Sequence, residues 1–220
     1  MKILAVLAPQ SGRALEVALS LGELVVLAVA ADEAVFAGLP LASAVEKYRV
    51  WDESLDSSKL HPVDFEARLA AVVAQAARRL GTSVVVLTDS QAGSLGAALA
   101  EQLNLAHVSE VLSAKLIGTS EDEALLHVRR RGLRGVQVLC GSPQAVLSVL
   151  PPMLSLEAEM STTDETVPVV QWSLSDISLS AADLPPPQVR VVGKSERRHR
   201  PRLFIGAEAL VERLRRDGLE

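Results

Sequence analysis

The residues best placed to do chemistry lie between positions 83 and 103, in the stretch SVVVLTDSQAGSLGAALAEQL. A β-branched aliphatic run ends at Thr88 and Asp89. Small residues follow at once, and helix-forming residues begin near Gly93. In an open parallel sheet, ligands sit at the carboxyl ends of the strands. The free amides that open the next helix attract phosphate. Gly93, Ser94 and Gly96 let a backbone approach a ligand closely. An ordinary tight strand-to-helix turn has the same composition, so the residues alone leave both readings open.

Other chemistries find little support. The chain has no GxxxxGK[ST] loop, no GxGxxG after its first apolar run and no GxSxG elbow. A hydrolase or synthetase acting on adenylate needs a phosphate loop after the first strand. There, Pro9, Gln10, Ser11 and Gly12 supply small residues but no acid or base. The histidines, His61, His107, His127 and His199, show no metal-ligand spacing. No pair of carboxylates stands out for acid–base work. Cys140 is the only cysteine, so the chain can form no internal disulfide. It is expected as a small buried hydrophobe on a strand. Two basic clusters occur: Arg129, Arg130, Arg131 and Arg134, and then Arg190, Lys194, Arg197, Arg198, Arg200 and Arg202. They read as solvated faces or subunit contacts, with an acidic partner or nucleic acid as the alternative.

Composition narrows the class. Of 220 residues, 49% are apolar but only 3% aromatic, so the core must be built from Ala, Val and Leu. That suits a parallel sheet covered by helices and suits base stacking poorly. A formal charge of −5 gives no global basic field for nucleic acid or membrane. No apolar stretch reaches a membrane-spanning length, so no membrane insertion is expected. A reducing cytoplasm is the simplest compartment.

Periodicity supplies the elements that would position the site. Strands are expected at 2–8, 24–30, 48–51 and 83–88. Helices are expected at 13–21, 32–39, 42–46, 64–80 and 93–103, the fourth with Asp64 as its N-cap and Gly81 beyond its end. This alternation predicts a three-layer α/β/α fold with a mostly parallel, Rossmann-like sheet. From position 111 the style changes to strands at 114–118, 124–131, 136–139 and 145–150, a small β-hairpin extension. Residues 151–187 lose periodicity, although 167–172 could be a short strand. A helix closes the chain at 206–216. The expected division is a nucleotide-binding-like domain over 1–150 and an extended C-terminal arm over 151–220, packing on a partner subunit.

The segment at 89–103 resembles the nucleotide loop of electron transfer flavoprotein beta subunits, D-x-D-T-x-Q-x-G-P followed by A-E-x-L. Asp89, Gly96, Ala100, Glu101 and Leu103 match. Gln91, Ala92, Ser94 and Ala97 replace the second Asp, Thr, Gln and Pro. The backbone cradle is kept while most of the polar side chains are not. Gly135, Pro143 to Val146 and Leu147 to Val149 resemble the family's later strands. Asp176, Ile177, Arg190 to Val192 and the closing Leu210, Val211 and Leu214 resemble its arm.

The resemblance implies an electron carrier rather than an enzyme. A beta-like subunit would pair with an alpha subunit that holds most of an FAD, would clamp that flavin without redox chemistry of its own, and would offer a site for AMP. The cofactor-binding positions it implies are Ala8, Pro9, Ala30, Asp89, Ser90, Gln91, Ala92, Gly93, Ser94, Leu95 and Gly96. Where the family carries a basic recognition loop, residues 151–159 are short and acidic, so docking to a flavin dehydrogenase is expected to be altered or lost. A regulatory, non-redox protein of the same fold is the competing expectation.

Overall fold

Runs of Val, Leu and Ile with no polar alternation become the strands of one sheet. The computed structural model describes residues 1–7, 12–31, 36, 44–88, 94–118, 124–150 and 167–187. Met1–Val189 form one compact unit. Arg190–Glu220 form a second, which lies outside the described residues. The closing helix expected at 206–216 and most of the one expected at 32–39 therefore lie outside them too.

The first unit begins with β1 (Lys2–Leu7), α1 (Gly12–Leu19), β2 (Glu23–Val29), β3 (Ala44–Val50), α2 (Pro62–Leu80), β4 (Val84–Thr88) and α3 (Ser94–Leu103). It continues with β5 (Ala106–Ile117), β6 (Leu125–Gly132), β7 (Gly135–Gly141), β8 (Ala145–Val149) and β9 (Val169–Trp172). The nine strands lie in the order β7-β6-β5-β8-β4-β1-β2-β3-β9. Only the β5–β6 and β6–β7 pairs are antiparallel.

Each central strand buries both faces. Ile3, Ala5 and Leu7 of β1 pack on one side with Leu15 and Ala18 of α1. Leu4 and Val6 pack on the other with Val72, Val73 and Ala76 of α2 and Leu99 of α3. The result is the expected three-layer α/β/α arrangement with a mostly parallel sheet.

Several local expectations are corrected. Residues 44–46 belong to β3, not to a helix, because pairing with β2 overrides the helix preference of Ala and Glu. The N-cap of α2 is His61, whose ring nitrogen accepts from the Val63 amide, and Pro62 opens the first turn. Asp64 sits within that turn and is buried. The helix ends as expected at Gly81, which adopts φ 65° while its N–H meets the carbonyls of Ala77 and Arg78.

Residues 167–187 belong to the first unit. β9 extends the sheet beside β3. The Tyr48 and Trp172 rings stack with centroids 4.0 Å apart. Arg68 of α2 donates to the carbonyls of Ser54 at 2.6 Å and Pro185 at 3.1 Å, tying this returning segment to the helix layer.

Candidate functional site

The chain order places a reversal at the centre of the sheet. From β1 it winds outward through β2 and β3, then returns to β4 on the other side of β1. At such a reversal, the connections leaving adjacent strand ends splay apart and open a crevice. β1 and β4 run in parallel with Val6 opposite Leu87, so they end side by side. Ala8 and Pro9 follow β1. Asp89, Ser90, Gln91, Ala92 and Gly93 follow β4. All seven lie outside the described residues.

The described positions expected at the site are Ala30, Ser94, Leu95 and Gly96. Ala30 follows β2, the neighbour of β1, and adopts φ 53° while its N–H donates to the Val50 carbonyl at 2.9 Å. A left-handed alanine is strained by roughly 1–2 kcal/mol, and such outliers collect at functional sites. Leu95 packs against the core on the α2 side. Its role is therefore to seat α3.

Gly96 has a clear packing cause. A Cβ there would meet the Ser148 hydroxyl and would stand 2.5 Å from His107 Nε2. The missing side chain lets the first turn of α3 rest on β8 and β5. Beneath it, His107 Nε2 and Ser148 Oγ are hydrogen-bonded at 2.9 Å. Ser148 is 2% exposed, so its hydroxyl needs such a partner.

Ser94 opens α3 and its hydroxyl donates to Glu66 of α2. Burial pushes the Glu66 carboxyl above its ordinary value. A carboxylate close to a helix N-terminus gains from the dipole. It also stands where a phosphate would be drawn. Glu66, His107 and Ser148 were not among the residues expected from the sequence. Glu66 and Ser94 are 28 positions apart, and His107 and Ser148 are 41 apart. No local motif joins either pair.

The described residues fit a nucleotide phosphate in one respect: Ser94 opens α3, the helix that follows β4 in the chain. Glu66 sets the condition, since its charge opposes an anion and its protonated form does not. No group of three or more His, Cys, Asp or Glu able to hold a metal ion occurs among the described residues. No helix among them is long and apolar enough to cross a membrane.

Far from this crevice, β6 and β7 form a hairpin with Leu133 and Arg134 at its tip. Every residue of β7 is exposed, including Val136 and Val138. Cys140 is exposed as well. The expectation of a buried thiol fails because β7 is an edge strand of the sheet and all of its residues are exposed.

Residues 3–177 match a protein-family model described as electron transfer flavoprotein domain. No curated protein matches the chain.

Proposed function

This chain belongs to the electron transfer flavoprotein family, and from that premise we propose that it is a beta-type subunit. It pairs with an FAD-carrying alpha subunit and serves electron transfer from dehydrogenases to a downstream acceptor. The family match over residues 3–177 carries the electron-transfer role, and the likeness of residues 89–103 to the beta subunits' nucleotide loop supports the beta-type assignment. The exposed apolar edge of β7 supports pairing, because such an edge invites another chain.

FAD, held mainly by the partner, supplies reversible redox chemistry when bound. This chain's task is to cover that flavin and exclude water from it. Ser94 and the first turn of α3 would hold an adenine nucleotide's phosphate, with Ala8, Pro9, Ala30 and Asp89 to Gly93 completing the crevice. Docking to a flavin dehydrogenase of the usual kind is altered, because the short stretch after residue 150 carries Glu157 and Glu159 where the family is basic.

The test is isolation from the native source under mild conditions. The proposal expects a second chain to co-purify and FAD to be released on denaturation, with or without AMP. A nucleotide-free single chain would overturn it.

A further inference from the structure

β5 changes neighbours halfway along its length. Its first half pairs in parallel with β8, and its second half pairs antiparallel with β6. Two irregularities in register mark the change. From Val108 to Val111, three steps of β5 match two of β8, from Leu147 to Val149. From Val111 to Ser113, two steps match one of β6, from Arg130 to Arg129. Each inserts one extra residue into β5, and such bulges bend a strand and increase its twist.

Glu110 lies in the first bulge and adopts φ 57°. A left-handed glutamate within a strand is strained, and strain of this kind persists only where the surroundings enforce it. Three contacts do so. The Glu110 carboxylate meets Arg131 Nε of β6 at 3.2 Å. Arg13 of α1 donates to the Leu112 carbonyl at 3.2 Å. Ser20, just past α1, donates to the Ala114 carbonyl at 2.9 Å. β8 ends at Val149, opposite Val111, so α1 satisfies carbonyls of β5 beyond the reach of its parallel neighbour. Ala114, Leu126 and Val128 of the extension share the core cluster of Leu15 and Ala18.

We propose that the middle of β5 is a fixed joint. The bulged, strained backbone at Glu110 aims the antiparallel extension, and Arg13, Ser20 and Arg131 hold it at one angle to the parallel sheet. All four are positioning residues. Held in this way, the edge of β7 meets the partner subunit preorganised, with less orientational freedom left to lose on binding. That consequence rests on the heterodimer reading, and the joint itself does not.

The test measures the angle directly. The sole thiol, Cys140 of β7, is exposed and takes one spin label, and E101C on the exposed side of α3 takes a second. Electron–electron double resonance then reads the distance between the extension and the helix layer. Glu110→Gly accepts the left-handed angle without strain and releases Arg131. R13M/S20A removes the clasp from α1 and leaves Glu110 in place. The parent is expected to show one narrow distance distribution, which both variants broaden at least about twofold. The unfolding midpoint of Glu110→Gly should stay level or rise, because strain is relieved and an exposed ion pair contributes little. Both variants should bind the FAD-carrying subunit at least about fivefold more weakly. A distribution that stays narrow in both variants, or is already broad in the parent, would overturn the joint. So would a lower midpoint in Glu110→Gly, which would make Glu110 a stabilising residue only. Broadened distances with unchanged affinity would overturn the role in partner binding. Failure of wild type to bind any FAD-carrying chain would overturn the proposed function, while the distances still decide the joint.

Discussion

Three sites decide most at the residue scale: Gly96, Glu66 and the Glu46–Tyr48 pair. Gly96 is a point of close approach between α3 and the sheet. Gly96→Ala forces a methyl onto Ser148 and His107. It should cost about 1–3 kcal/mol in denaturant unfolding, the range for overpacking a close contact. Glu66 is the titrating group. Its carboxyl is raised by burial, so the folded chain holds the proton more tightly than the unfolded chain. Stability therefore falls as pH rises from its ordinary value through its folded one. Glu66→Gln should be more stable than wild type at neutral pH and equal to it in acid. It should also bind AMP more tightly and with less dependence on pH, as titration calorimetry would register. Glu46 bridges β1 and β3, accepting from Lys2 at 2.8 Å and from the Tyr48 hydroxyl at 2.7 Å. Burial, then the Glu46 hydrogen bond, push Tyr48 up to about 12. That contribution is complete below the ordinary tyrosine value and is lost as pH climbs toward the raised one. Tyr48→Phe should cost about 1 kcal/mol at neutral pH, and its stability should fall less steeply in alkali than that of wild type.

At the scale of elements, the hairpin of β6 and β7 turns on glycine. Gly135 adopts φ 125° opposite Gly132. Gly135→Ala should cost about 1–3 kcal/mol through backbone strain, visible as faster amide exchange in β7 while β1 and β4 keep their protection. Much of this level was legible in the sequence. Val84 to Leu87 announce a strand buried on both faces, and Arg78, Arg79 and Gly81 announce the end of α2. Asp64 misled because its type is a favoured cap, whereas Pro62 places the cap at His61. Gly135 to Gly141 misled differently: an edge strand of Val, Leu and Cys reads like a buried one. A pair of local signals went unread. Ser173 with Asp176, and Ser180 with Asp183, are S-x-x-D boxes in which the carboxylate accepts from the serine amide at 2.8 Å. They shape the segment that follows β9.

The first unit combines a mostly parallel sheet, a reversal of chain order at β1 and β4, and an antiparallel extension whose edge strand is exposed. The strand and the helix on either side of the expected site were legible because a strand, small residues and a helix adjoin in sequence between Ser83 and Leu103. The polar contacts of the first turn of α3 were not, since Glu66, His107 and Ser148 are brought to it only by folding. The arm expected from residue 151 begins, among the described residues, with β9 seated on the sheet. The remaining arm from Arg190 onward is proposed to pack on the partner, and deleting residues 190–220 should weaken the heterodimer while leaving the unfolding midpoint of the isolated chain nearly unchanged.

The most direct measurement is anaerobic reduction of the purified heterodimer, followed through the flavin's visible absorption. The account predicts one complex containing both chains, whose FAD is reduced by a donor and reoxidised by an acceptor. A chain that forms no flavin-containing complex, or a complex whose flavin neither accepts nor returns electrons, would contradict it.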